Sequence, residues 1–157
     1  MNPIIREIKK DEYPVLEEFT YQAIYVPEGV TAPPRTILQD PNISMYFEEF
    51  GESEDDHGLV ALVDHQIVGA IWARIMNDYG HVDKQTPSLS MSILPAYRNR
   101  GIGSNLLKNM LRLLKDEGYR QVSLSVQKAN VAVKMYEKAG FDVFIENAGD
   151  FVMLCRL

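Results

Sequence analysis

The strongest chemical signal in this chain is Arg98-Asn99-Arg100-Gly101-Ile102-Gly103-Ser104, entered from Ile93-Leu94-Pro95 and followed by apolar residues at helical spacing. Glycines let a backbone come close to a ligand, and a helix starting there turns unpaired amides outward. Those amides, the helix dipole and the charges of Arg98 and Arg100 suit a phosphorylated ligand. A Walker A loop needs Gly-Lys-[Ser/Thr], but Ser104 and Asn105 follow Gly103, which argues against a nucleotide hydrolase. The dinucleotide fingerprint needs a third glycine where Leu106 stands. What remains is Arg-x-x-Gly-x-Gly, which by itself fits a glycine turn with solvated arginines as well as it fits a phosphate site.

A second stretch, Asn130-Val131-Ala132-Val133-Lys134-Met135-Tyr136-Glu137-Lys138-Ala139-Gly140-Phe141, shifts that balance. With both stretches in view, the chain resembles the GNAT superfamily of N-acetyltransferases, and more narrowly its small bacterial members of unassigned substrate. The family's acetyl-CoA loop has the form Arg98-x-x-Gly101-x-Gly103. Its later helix is matched by Asn130, Tyr136, Lys138, Gly140 and Phe141, with Ala132 one place early. The resemblance is firm over 89–141, an acetyl-CoA-binding core, whereas 26–57 matches no shared pattern and falls where substrate regions vary. It implies a single N-acetyltransferase domain over 1–157.

The resemblance implies a diphosphate on the loop residues Arg98, Asn99, Arg100, Gly101, Ile102, Gly103 and Ser104, with Lys108 or Arg112 as further cations. Pantetheine would pair with backbone near Ser92, Ile93 and Leu94, and an amide near Ile93 or Leu94, at a bulge, would hold the oxyanion. Asn130 would hydrogen-bond the pantetheine. Tyr136 would assist the leaving thiolate as general acid or hydrogen-bond donor. A core tyrosine is the plainer alternative for Tyr136. Gly140 and Phe141 would end and underpin the helix.

The implied reaction is direct attack of an amine on acetyl-CoA, with no acyl-enzyme. A non-catalytic acyl-CoA-binding sensor is the alternative. An amine with a lysine-like pKa near 10.4 is neutral about once per thousand molecules at neutral pH, so deprotonating it is worth about 4 kcal/mol. Many relatives place a carboxylate on the strand before the loop, but Leu89-Ser90-Met91-Ser92-Ile93 has none. Glu28 is the candidate catalytic base, and Glu28, Asp78, Tyr79 and His81 are candidate substrate contacts, with Asp83 nearby. Each could equally be a loop residue; Asp78 suits a turn. Cys155, in an apolar strand, has nothing near it to lower its pKa.

These groups need a scaffold. Ile4 to Ile8 alternates as a strand, and a helix follows Asp11 with Pro14 in its first turn and Val15, Leu16, Phe19 and Ala23 on its apolar face. The proline-rich stretch 26–34 is a loop of the kind that shapes binding sites. Short helices are predicted over 36–39 and 42–50. Leu59–Val63 and Ile67–Ile75 form a hairpin about Asp64-His65-Gln66, and Leu89–Leu94 is a strand. A helix from Ile102 ends at Gly118, Val122–Val126 is a strand, and Asn130–Ala139 is a helix closed by Gly140. Phe141–Ile145 and Phe151–Leu157 are strands. The last is apolar on both faces and requires covering by helices or another subunit, so a homodimer is a reasonable expectation. Hairpins followed by strand-helix-strand units give an α/β fold: a mixed, mostly antiparallel sheet flanked by helices, GNAT-like by the resemblance.

Composition narrows the classes further. A chain of 157 residues suits one domain, and 46% hydrophobic with 24% charged residues is ordinary globular usage. Net charge is −6, and the run 48–56 holds six acids and no base, leaving 16 acids against 16 bases elsewhere. That bias speaks against nucleic acid as a partner and suits a solvated loop, or a rim attracting a cationic acceptor. A single cysteine excludes an intrachain disulfide, and the three histidines lack ligand spacing, so no metal is implied. No segment reads as a membrane span or signal peptide, which makes a cytoplasmic setting the expectation.

Overall fold

The computed structural model describes residues 2–157. Seven strands form one sheet: β1 (Ile4–Glu7), β2 (His57–Val63), β3 (Gln66–Arg74), β4 (Ser88–Ile93), β5 (Gln121–Gln127), β6 (Asp142–Glu146) and β7 (Asp150–Arg156). Their order is β1-β2-β3-β4-β5-β7-β6, and every pair is antiparallel except β4 with β5. Helices α1 (Val15–Ala23), α2 (Pro41–Ser44), α3 (Ile102–Asp116) and α4 (Ala132–Ala139) flank it. This is the mixed, mostly antiparallel α/β sheet that the element pattern predicts.

β2 and β3 are apolar on both faces because both faces are covered. Leu59, Ala61 and Ile71 pack with Leu106 and Met110 of α3, whereas Val60, Ala70 and Trp72 pack with Leu16 and Phe19 of α1. Their hairpin turns at Asp64 (φ 50°) and His65 (φ 68°), both left-handed, as a two-residue hairpin that follows the strand twist requires. α3 and α4 both end in glycine caps. Gly118 (φ 95°) lets Tyr119 N–H donate to Leu114 O at 3.0 Å, and Gly140 (φ 111°) lets Phe141 N–H donate to Tyr136 O at 3.0 Å.

Two local expectations are corrected. The first helix does not start after Asp11. Lys10–Glu12 is a 3-10 turn and Pro14, which has no N–H to give, sits at the helix boundary. The predicted helix over 42–50 is only Pro41–Ser44, because tertiary donors take the carbonyls a longer helix would use: Trp72 Nε1–H donates to Tyr46 O at 2.8 Å, and Arg74 Nη1–H to Met45 O at 2.9 Å and Glu48 O at 2.7 Å. β7 is covered from within the chain, the first of its two expected coverings, with Met153 and Cys155 in one core with Leu106, Met110 and Leu114 of α3. It lies between β5 and β6, with Val152, Met153 and Cys155 buried within the chain. The exposed apolar residues Val143, Phe144 and Ile145 lie instead on β6 at the sheet edge.

An ion pair ties β1 to the turn before α1. Arg6 donates to both oxygens of Glu12 at 2.8 Å, and Lys9 N–H donates to Oε1 at 2.8 Å. The Arg6 guanidinium, with that amide, pulls the Glu12 carboxyl from 4.5 down to about 2. A depressed folded-state pKa gives stability that is present above the unfolded value of 4.5 and lost as pH falls toward 2. The difference in urea midpoint between wild type and Arg6→Met should therefore be constant above pH 5 and shrink as pH falls from 4.5 toward 2.

Candidate active site

β4 and β5 are parallel neighbours in register only at Ser88 and Ser123, where Ser123 N–H donates to Pro87 O at 3.0 Å. Beyond that pair the strands separate, and a cavity of about 280 Å³ lies between them, lined by Leu89, Ser90 and Met91 on one side and Leu124 to Gln127 on the other. The backbone groups turned toward this gap follow from β3 pairing. Leu94 N–H donates to Val68 O at 2.8 Å, and the β3–β4 register runs unbroken from Gly69 opposite Ile93 to Arg74 opposite Ser88. Antiparallel alternation then directs the amides of Ser90, Ser92 and Leu94 to β3, and those of Leu89, Met91 and Ile93 into the gap.

These directions bear on the three residues before the loop. Of Ser92, Ile93 and Leu94, only Ile93 turns its backbone to the cleft, and Met91, which sequence reasoning missed, does the same. No bulge interrupts β4 where it pairs with β3, and the Leu94 amide is already bonded. The Ser92 hydroxyl donates to Phe19 O at 2.6 Å and thereby holds α1 on the sheet.

The glycine loop opens α3 as its sequence predicts. Asn99 (φ 62°) and Gly101 (φ 80°) are left-handed, the first a conformation asparagine tolerates. The first bond of α3 runs from Asn105 N–H to Gly101 O at 3.1 Å, so the amides of Ile102, Gly103 and Ser104 point out of its N-terminus. A Cβ at Gly103 would lie 3.5 Å from Met91 Cε and 3.7 Å from Met135 Sδ, so this end of α3 adjoins the cavity wall through Met91.

Both arginines are exposed, and each also makes a local contact. Arg98 Nε–H donates to Ile93 O at 2.9 Å, and its Nη2–H reaches Gln22 O and Oε1 at 3.4 Å, so this guanidinium braces β4 against α1. The Arg98 amide is also bonded, to Pro95 O at 3.3 Å. Arg100 lies over the Tyr97 ring, 5.6 Å from its centroid. The nearest cationic groove is formed by Lys108 of α3 with Lys134 and Lys138 of α4, over Leu107, Leu111 and Met135 and beginning at Ser104. Of these, Lys108 was anticipated as a phosphate neighbour. Arg112 is exposed and outside the groove.

Tyr136 and Asn130 both line the cavity. Asn130 Oδ1 accepts from Ala132 N–H at 2.9 Å, capping α4 and leaving the side-chain NH2 as its donor. The Schellman bond at Gly140 places Phe141 edge-on to the Tyr136 ring, with centroids 5.7 Å apart, and Phe141 is fully buried. The Gly-Phe pair of the motif thus sets the position of the phenol. Burial alone pushes the Tyr136 hydroxyl up to about 12.

The candidate base residues separate. Glu28 is exposed in the turn closed by Val30 N–H to Pro27 O at 3.1 Å, and is not in the cavity wall. None of residues 26–34 lines the cavity. The wall from α1 and the segments up to α2 and just beyond is Thr20, Ala23, Ile24, Tyr25, Ile43 and Tyr46. Asp83 is exposed and accepts from Gln85 N–H at 2.9 Å. His81 lies outside the lining, with Nδ1 buried and unpartnered. Asp78 and the exposed Tyr79 do line the cavity, and burial raises the Asp78 carboxyl above the usual carboxylate range. The acidic run 48–56 contributes nothing to the wall. Burial raises the Cys155 thiol, which suits an inert core residue. Among the described residues no three His, Cys, Asp or Glu side chains gather as a metal site, and no helix is long and apolar enough to cross a membrane.

Comparison with known proteins identifies the family to which this arrangement belongs. The acetyltransferase (GNAT) family model matches residues 7–141, and the chain belongs to that family. It is 35% identical over 112 residues to an N-alpha-acetyltransferase of Saccharolobus solfataricus, covering 64% of this chain and 65% of that one. It is 29% identical over 98 residues to the ribosomal protein bS18-alanine N-acetyltransferase of Haemophilus influenzae, covering 59% and 63%. Each match thus spans less than two thirds of the relative's own length. The fold is that of PaiA N-acetyltransferase from Thermoplasma acidophilum, solved with coenzyme A, at TM-score 0.73 and 23% identity over 100% of both chains.

Proposed function

We propose that this protein transfers the acetyl group of acetyl-CoA to an amine by direct attack in the β4–β5 cavity. The observation that carries the proposal is that Met91, whose backbone faces the gap, and the Tyr136 phenol line one cavity, with the N-terminus of α3 adjoining it through Met91. The residues fit the co-substrate. The amides of Ile102, Gly103 and Ser104 suit the diphosphate, and Lys108, Lys134 and Lys138 suit the remaining anionic part of a molecule carrying about four negative charges. Met91 and Ile93 offer backbone pairing to the pantetheine arm, with the Asn130 NH2 as a further donor.

As the amine nitrogen bonds to the carbonyl carbon and the C–S bond breaks, charge develops on sulfur. A phenol at about 12 facing a thiol near 8.5 would lose roughly 5 kcal/mol by complete proton transfer, so Tyr136 serves as a hydrogen-bond donor to the thiolate. Coenzyme binding without turnover, the sensor alternative, would leave no reason for a phenol held in this wall.

Gly103→Glu tests the binding step. The Cβ is tolerated at ordinary contact distance, and an acid in the first turn of a helix is favourable, so the thermal midpoint should hold or rise. The added charge enters beside the amides assigned to the diphosphate, and calorimetry should show coenzyme A binding weakened roughly 30-fold or more. Unchanged affinity would remove the α3 N-terminus from the site. Thiol release from acetyl-CoA in the presence of an amine panel tests turnover; binding with release on no amine would establish the sensor instead.

A further inference from the structure

Among the described residues Asp78 is the one charged side chain in the cavity wall, where the lining also includes Tyr25, Tyr46, Trp72, Tyr79 and Tyr136. It is held from several directions. Ser88 Oγ–H donates to its Oδ2 at 2.9 Å, and the Tyr46 hydroxyl and the Gly80 backbone amide also hydrogen-bond the carboxyl. Two residues on, Gly80 lies so close to β5 that a Cβ there would meet Leu124 C and Ser125 N at 3.0 Å, and Ser123 Oγ–H donates to Gly80 O at 2.6 Å. The second carboxylate oxygen, Oδ1, is buried and has no donor among the described residues. The titratable groups bearing on this cluster are the phenols of Tyr46 and Tyr79, and neither supplies a positive charge. A buried carboxylate short of one donor and a countercharge is completed by an ammonium. No other element supplies acids to the cavity: Asp56 is paired with Arg74 and Asp55 accepts from Tyr119.

We propose that Asp78 binds the acceptor's ammonium and takes its first proton, and that the acceptor is a single primary amine on an apolar or aromatic body. This rests on the acetyl-transfer function above. The ammonium donates to Oδ1 and passes one proton to the carboxylate, and the neutral nitrogen then attacks the thioester carbonyl. The C–N bond forms, the C–S bond breaks with its electron pair on sulfur, and the second proton released from nitrogen ends on that thiolate. The proton on Asp78 returns to solvent. One carboxylate among aromatic rings pairs with one ammonium; a polyamine would bring a second with no partner in the wall.

The test measures thiol release from acetyl-CoA with 2-phenylethylamine, with a tripeptide beginning in phenylalanine, and with spermidine, for wild type and Asp78→Asn. Wild type should favour 2-phenylethylamine or the tripeptide over spermidine at least tenfold in kcat/KM, and the better of the two tells a free amine from a peptide N-terminus. Asp78→Asn should lose at least 100-fold in kcat/KM on the preferred amine. Its affinity for coenzyme A should stay within twofold and its thermal midpoint should be unchanged or higher, because a desolvated charge has been removed. Where Asp78→Asn does not fold, Asp78→Glu, which moves the charge by one methylene, should lose about tenfold. Activity of Asp78→Asn within threefold of wild type overturns the assignment of Asp78, and a preference for spermidine, or release on none of the three amines, overturns the substrate class. Failure of wild type to bind coenzyme A would strike the acetyl-transfer function itself and is read separately by calorimetry.

Discussion

Arg74→Ala should lower the free energy of unfolding by about 3 kcal/mol or more, the cost typical of breaking a buried ion pair from one side. Arg74 and Asp56 are 12% and 2% exposed, joined at 3.0 and 3.3 Å, and the same guanidinium donates to the carbonyls of Met45 and Glu48. Alanine leaves the Asp56 carboxylate buried with only the amides of Gly51 and Ser53, at 2.9 and 3.4 Å, which places the loss toward the lower end of the range. For a chain of this size that is a fall in thermal midpoint on the order of 10 °C. The double variant Arg74→Ala/Asp56→Ala should recover part of it, since the stranded charge has gone. Urea titration of the three proteins reads both effects, and a single-variant loss below 1 kcal/mol would show that the pair is a bystander. The segment released carries Tyr46, so KM for the amine should rise more than KM for acetyl-CoA.

Tyr136→Phe should lower kcat by about 100-fold while leaving coenzyme A affinity and stability close to wild type. The ring is retained against Phe141, and no group among the described residues shares a hydrogen bond with the hydroxyl that is lost. On the proposed mechanism, what disappears is a donor to charge that develops only as the C–S bond breaks, and such a loss appears in kcat. A phenol at about 12 does not titrate between pH 6 and 10, so the pH–rate profile of Tyr136→Phe should parallel that of wild type at a lower level. A profile that changes shape there would mean that Tyr136 itself exchanges the proton. Unaltered kcat would return it to the role of a core tyrosine.

Local patterns in the chain were enough for much of this. Arg98-x-x-Gly101-x-Gly103 and the Asn130-to-Phe141 stretch act over one turn of backbone, where a left-handed glycine, a helix start and a glycine cap follow from neighbouring residues alone. Hairpins and amphipathic helices were legible for the same reason. The helix over 42–50 failed because Arg74 and Trp72, distant in the chain, take the carbonyls that would have continued it.

Which of Glu28, Asp78, Tyr79 and His81 meets the cavity was not written in any local pattern, since each is a polar residue in a loop. Tyr46 carried no signal, as an aromatic residue in an apolar run reads as core. Residue types and short spacings were enough to point to the family and to single out the glycine loop and Tyr136 as candidates. The parting of β4 from β5 beyond Ser88, the backbone groups it turns inward and the single acid left facing them were decided by tertiary structure, because a cavity wall is assembled from segments that only packing brings together.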